Sequence, residues 1–313
     1  MFHAVVCGVD WSDESMAAVE VAAGLSKRLG ATLVLAHVVE ESAPFPYGNG
    51  TELNRSRHRA HTEATQLFRR LRRQFDPLEV DGRVLYGAPA DELAELAAEE
   101  EAALLVVGSR GRGAVKAALF GSVSSALSRA ADRPVVVVRP DTALAGPEAP
   151  GERSAIVCGV DDSPQARGAA RVAAALASGL GTELVLVHAY TPARSAATIP
   201  AGGIAPPVDH QALDEQQRRA GKTLLRQVTE DAAGTAPVRT RLEADAPASA
   251  LELCVKEERA ELVVVGTHGH GALASALLGS TSVALAAGGP VPVVMVPERA
   301  ALRAANEPNA IAG

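Results

Sequence analysis

An internal repeat limits what this chain can fold into more than any other feature. Gly108-Ser109-Arg110-Gly111, nine intervening residues and Gly121-Ser122 follow the apolar run Ala103 to Val107. Gly266-Thr267-His268-Gly269, nine residues and Gly279-Ser280 follow Glu261 to Val265. Earlier landmarks recur as well. Val6 to Asp10 matches Val157 to Asp161, and Leu33 to His37 matches Leu184 to His188, both at an offset of 151. The glycine loops, and the runs Pro134 to Val138 and Pro292 to Val296, are offset by 158. The extra length falls in the Pro/Gly/Ala-rich stretch Thr191 to Pro207, which reads as a mobile loop. A duplication on this scale, in a chain of 313 residues, predicts two domains built alike.

Each half alternates strand and helix patterns. The strand runs, such as Val135 to Val138 and Leu262 to Val265, are apolar without alternation, as expected of parallel strands buried on both faces. Ala18, Ala22, Leu25 and Leu29 keep helical spacing, with Gly30 placed to end the helix; Ala169, Ala173, Leu176 and Leu180 repeat this before Gly181. The fold class predicted is α/β, two tandem open doubly wound five-stranded parallel sheets of Rossmann-like type. The domains read as 1–140 and 153–298, joined by a Pro/Gly/Ala linker at 141–152 and followed by a polar, alanine-rich tail at 299–313 with no evident role.

Composition narrows the class. Hydrophobic residues make up 47% and charged residues 21%, enough apolar material for two soluble cores. A formal net charge of −7 argues against a general nucleic-acid binder. No apolar run is long enough to span a bilayer, and Met1 to Val5 leads into a strand pattern without the basic segment of a signal peptide. Cys7, Cys158 and Cys254 are odd in number, lack CxxC spacing and suit small buried positions in a reducing compartment. A cytoplasmic location follows as the expectation.

Closely spaced glycines at a strand's carboxyl end, with a helix start beyond, suit an anion. Glycine lets backbone N–H groups approach it, and the helix terminus adds partial positive charge. The pattern is neither a GxxxxGK[ST] loop nor a GxGxxG fingerprint. Asp10 and Asp161 each end a first strand, where a carboxylate could face a ribose or a hydrated metal, or cap the next helix with Ser12 or Ser163. Ser122 and Ser280 are placed to cap the last helix of each half. His37 and His188 read as hydrogen-bonded structure. The first loop carries Arg110, Arg112 and Lys116 where the second has His268, His270 and Ala274, so the first site is expected to be the more positive near neutral pH. A basic segment with Arg55, Arg57, Arg59, Arg69, Arg70, Arg72 and Arg73 could form a nucleic-acid patch, but the global charge favours a solvated face or docking on the acidic helix Asp91 to Glu101.

Gly-x-x-Gly, nine residues and Gly-Ser, with an Asp after the first strand and a closing PVVVV-type strand, resembles the ATP-binding universal stress proteins in tandem form. The resemblance implies ATP, with Mg²⁺, across the ends of strands one and four of each half. Asp10 and Asp161 would contact its ribose or metal end, and Val38 and Ala189 would meet adenine through their backbone. Gly108, Gly111, Gly121, Ser122 and Val123 would line the first site, and Gly266, Gly269, Gly279, Ser280 and Thr281 the second. It implies pairing of the two halves through their final strands, a homodimer beyond that, and a nucleotide-dependent role in stress or growth regulation. A slow ATPase or phosphotransferase, and an ATP-independent chaperone-like module, are the alternatives.

Overall fold

The computed structural model describes residues 2–40, 50–111, 120–144, 154–192, 209–232, 236–268 and 278–306. The first half runs β1 (Ala4–Gly8), α1 (Asp13–Leu29), β2 (Thr32–Glu40), α2 (Gly50–Gln74), β3 (Val80–Gly87), α3 (Pro89–Glu99), β4 (Ala102–Gly108), α4 (Ser122–Ala130) and β5 (Val135–Val138). The second repeats it as β6 (Ala155–Gly159), α5 (Pro164–Leu180), β7 (Glu183–Ala189), α6 (His210–Asp231), β8 (Val238–Glu243), α7 (Pro247–Glu257), β9 (Ala260–Gly266), α8 (Ser280–Gly288) and β10 (Val293–Val296). One further helix, α9 (Glu298–Asn306), closes the described chain.

The apolar runs become parallel strands in the order β3-β2-β1-β4-β5 and β8-β7-β6-β9-β10. The two sheets are joined: β5 pairs antiparallel with β10, with Val136 opposite Val294, so all ten strands form one sheet. Alternate residues feed opposite faces. Val5, Cys7, Leu33 and Leu35 meet α1 and α2, and Val6, Val34, Leu105 and Val107 meet α3 and α4. The second half distributes Ile156, Cys158, Leu184 and Leu186 against Val157, Val185, Val263 and Val265 in the same way. All three cysteines are buried without a disulfide. Burial pushes the Cys7 and Cys158 thiols up and raises Cys254 to about 11, which favours the thiol over the thiolate near neutral pH.

Local signals explain the helix ends. Ser12 and Ser163 accept the Ser15 and Ala166 N–H groups at the starts of α1 and α5, and Gly30 and Gly181, both at φ +66°, end them in the left-handed region that favours glycine. The basic helix α2 does not dock on the acidic helix. α2 buries Ala64, Leu67, Phe68 and Leu71 on one face of the sheet, and α3 buries Leu93, Leu96 and Ala97 on the other. The crossover between them passes through β3 at the sheet edge, and the sheet keeps the two helices apart.

Two departures lie at the junction of the halves. The segment read as a tail contains α9, which buries Ala300, Ala301 and Ala304 against α5. Gly168 makes room for it: a Cβ there would lie 2.5 Å from the Ala301 Cβ and 2.6 Å from its Cα. Gly168→Ala is therefore expected to cost about 2 kcal/mol through overpacking and to lower hydrogen-exchange protection in α9. Unchanged protection there would contradict this packing.

The other is a polar lock. Irregular pairing of β6 with β9, Ala155 opposite Ala260 and Ile156 opposite Leu262, leaves Glu261 as an extra residue. Its fully buried carboxylate meets the Arg28 guanidinium of the first half through both oxygens, with Nη2 at 3.0 Å from Oε1. The same Nη2 donates to the Leu180 carbonyl at 3.0 Å, and Ser154 Oγ donates to Glu261 at 3.3 Å. Corresponding positions on the other side of the junction are Ala103 and Gly179, by the offsets of the repeat. There the corner is apolar: a Cβ on Gly179 would lie 2.2 Å from the Phe2 ring.

Candidate functional site

The carboxyl ends of β1 and β4 diverge where the strand order reverses, and this gap is where ligands of open α/β sheets sit. In the first half it holds a cleft of about 640 Å³. Its walls include Asp10, Val38, Gly108, Gly111, Gly121, Ser122 and Val123, together with Ser15, His37, Glu40, Arg110, Phe120 and Ser124. Seven residues expected at the first site thus share one cavity.

The floor is backbone. Ala36 accepts the Val9 N–H at 2.8 Å, and β1 pairs no further along β2. Strand alternation then turns the N–H and C=O of Val38 the same way, over the end of β1. Val187 accepts from Val160 at 2.9 Å, which gives Ala189 the same orientation. Both positions offer a donor and an acceptor in line to a flat heterocycle.

The glycine loop is tied at both ends. Ser109 N–H donates to Val138 at 2.7 Å, and Gly121 N–H donates to Ser109 at 2.8 Å. Ser124 Oγ donates to the Ser109 and Gly121 carbonyls at 3.1 and 3.2 Å. The second half repeats the tie through Thr267, Gly279 and Ser282. Sequence reading missed Ser124 and Ser282, although the repeated Gly-Ser-x-Ser carried the signal. Gly108 is demanded by close approach, since a Cβ would lie 2.8 Å from the Glu14 carbonyl carbon. On Gly111 it would lie 2.4 Å from Asp10 Oδ2.

Ser122 and Ser280 are not caps. Gly121 and Gly279 occupy the N-cap positions of α4 and α8, with no side-chain hydrogen bond, and the serines begin the helices. The correction matters chemically. A serine cap would use its oxygen on the helix's own N–H groups; a glycine cap leaves first-turn amides for another acceptor.

Asp10 Oδ1 accepts the Ser12 N–H at 3.0 Å and also the Ser12 hydroxyl, and Asp161 holds Ser163 identically. Each aspartate therefore fixes the cap of the following helix while standing at the strand tip. His37 Nδ1 lies 2.7 Å from the Val9 carbonyl and His188 Nδ1 2.9 Å from Val160, as structural histidines. The His37 ring also meets Trp11 edge to face, centroids 4.1 Å apart. Trp11, the single tryptophan of the chain, was not singled out from sequence; Asp162 stands at its counterpart.

Arg110 does not bring unopposed charge: its Nε is 3.6 Å from Glu14 Oε1. At the matching positions the second half has His268, with Nδ1 3.1 Å from Thr267 Oγ1, and Gln165. Arginine with glutamate has been replaced by histidine with glutamine, which narrows the expected difference in charge. Gly269, Arg112, Lys116, His270, most of the Thr191–Pro207 stretch and the greater part of the linker lie outside the described residues. Asp161, Ala189, Gly266, Gly279, Ser280 and Thr281 occupy the tips of β6, β7 and β9 and the start of α8. Among the described residues there is no group of three or more His, Cys, Asp or Glu that could hold a metal, and no helix long and apolar enough to cross a membrane.

Fold and site together define a tandem α/β protein with a glycine-loop cleft at the strand tips. The sequence model of the universal stress protein family matches residues 1–139 and 152–297. Universal stress protein Rv2005c of Mycobacterium tuberculosis is 32% identical over 301 residues, covering 94% of this chain and 96% of that protein. A universal stress protein of Mycolicibacterium smegmatis is 32% identical over 310 residues, covering 95% and 98%. The crystal structure of a universal stress protein from Archaeoglobus fulgidus has the same fold, with a TM-score of 0.64 at 19% identity over 94% of this chain and 98% of that one. The chain belongs to the universal stress protein family, in its two-domain form.

Proposed function

We propose that the chain binds ATP in each half and acts in the cytoplasm, as a self-associating protein, to regulate stress or growth according to nucleotide state. One observation carries this reading: Asp10, the Val38 backbone, the glycine loop and the uncapped start of α4 line a single cleft. Adenine meets the Val38 backbone, ribose reaches Asp10, and the phosphates lie over the α4 amides. The second half offers Asp161, Ala189, Gly266, Gly279, Ser280 and Thr281 for the same contacts, with Gly269 assigned there by the repeat. One helix-terminal contact contributes only about 0.3–1 kcal/mol, so affinity rests on several amides acting together. Mg²⁺ fits as an ion carried mainly by the phosphates and met by one carboxylate, Asp10 in the first half and Asp161 in the second. That aspartate is held by its neighbouring serine, an arrangement that favours binding over proton abstraction.

Calorimetric titration of the full chain with MgATP is expected to give two sites. Trp11 emission should change on filling the first alone, because the His37 ring it touches lines that cleft. Asp10→Ala should weaken the fluorescent site by about tenfold and leave the other intact. No heat at millimolar MgATP would remove the reading. Phosphate release lost in both Asp10→Ala and Asp161→Ala would instead favour a slow ATPase or phosphotransferase.

A further inference from the structure

Helices α2 and α3 carry opposite charge on opposite faces of the first half, and among the described residues the two do not meet each other. α2 holds seven arginines against Glu52 and Glu63, with no lysine. Arg55, Arg59, Arg69, Arg70, Arg72 and Arg73 are exposed. Arg59 pairs with Glu63, and Arg72 comes within 3.8 Å of Asp81. Arg55, Arg69, Arg70 and Arg73 have no ion pair or side-chain hydrogen bond among the described residues. Arg55 with Arg59, and Arg69 with Arg73, are spaced by one helical turn and share a stripe. On α3, Asp91, Glu95 and Glu99 keep the same spacing, are exposed and are unpaired among the described residues; Glu100 and Glu101 follow, and the helix has no base. The second half lacks this polarity. α6 balances four acids with four bases, and α7 sets Glu252 and Glu257 against Lys256.

We propose that these stripes are the contact between two copies of this chain, the arginines of α2 on one copy meeting the carboxylates of α3 on the other. Both stripes belong to one half and lie on opposite faces of its sheet. Because they face opposite ways, one two-fold axis cannot close both reciprocal contacts; the contact runs head to tail, α2 of one copy on α3 of the next, with a stripe left free at each end. Arginine suits the task, since its planar fork matches a carboxylate. The apolar faces of both helices are committed to the core, so the exposed stripes are not membrane-inserting surfaces. A nucleic-acid duplex fits less well: Glu20, Asp76 and Glu79 are exposed beside the end of α2, in a chain of net charge −7. This deepens the self-association included in the function proposed above and is independent of nucleotide.

Sedimentation velocity of the nucleotide-free full chain tests it. The wild type is expected to self-associate in about 50 mM salt, through dimers to longer species as concentration rises, and to dissociate in about 500 mM, where screening shortens the reach of exposed charges. Arg69→Glu with Arg73→Glu should raise the dissociation constant by about tenfold or more, as should Glu95→Lys with Glu99→Lys, and mixing the two variants should restore association. Circular dichroism melts confirm that these exposed substitutions leave the fold intact. A wild type that is monomeric at both salt concentrations overturns the proposal. Association indifferent to both reversals overturns the surface while leaving self-association and the ATP reading standing. Loss of binding to a short DNA duplex on reversing α2, without any change in oligomeric state, assigns the arginines to nucleic acid and overturns it too.

Discussion

Arg28→Ala is expected to lower the unfolding free energy by about 3 kcal/mol, a large effect for a residue remote from the cleft. The substitution leaves the Glu261 carboxylate fully buried with, among the described residues, the Ser154 hydroxyl as its remaining hydrogen-bond partner. A charge left inside without its counter-ion is far more costly than the intact pair is favourable. Replacing both members, as Arg28→Met with Glu261→Met, should therefore recover most of the loss. Urea titration of the two single variants and the double variant measures this directly. A loss below about 0.5 kcal/mol for Arg28→Ala, the level of an ordinary surface change, would show that the lock contributes little.

Gly121→Val is expected to weaken ATP at the first site by about a hundredfold and to leave the second site unchanged. Backbone conformation is not the reason, since φ at Gly121 is −73°. Space is: a Cβ would already sit 3.2 Å from the Arg110 Cα and from the Ser109 carbonyl oxygen, both backbone atoms. A branched side chain pushes the start of α4 away from the loop and stretches the Gly121 to Ser109 hydrogen bond, so the amides no longer converge. Calorimetry should report one site per chain in place of two, and the Trp11 response should vanish. Gly279→Val, 3.3 Å from the Thr267 carbonyl oxygen by the same construction, should silence the other site and spare the fluorescence. Unaltered affinity in both variants would place the nucleotide elsewhere.

The sequence exposed those features that local chemistry writes locally. Buried parallel strands appear as unbroken apolar runs, so Val135 to Val138 and Leu262 to Val265 were legible, and the duplication aligned four strands of one half with four of the other. Gly30 and Gly181 marked helix ends because few other residues tolerate the conformation found there. Contacts between distant segments leave no such trace. Val135 to Val138 reads as a strand but does not specify β10 as its partner; only the family resemblance suggested that. Glu261 reads as the first residue of an apolar run, and nothing near it points to Arg28 in the other half. Ser122 was misassigned by one position because glycine and serine both begin helices, and only geometry separates cap from first turn. α9 went unread because a short alanine-rich helix becomes stable only once Gly168 offers a groove.

The junction also determines which pieces of this chain can substitute for one another. One corner is ionic, Arg28 on Glu261, and its counterpart is packed with Phe2 over Gly179. Two copies of the first half would bring each arginine to Ala103, where no acid waits. Two copies of the second would sequester two glutamates with no cation in reach. Each half is thus shaped to its sibling and to nothing identical to itself, and the covalent link between them joins partners that are no longer interchangeable.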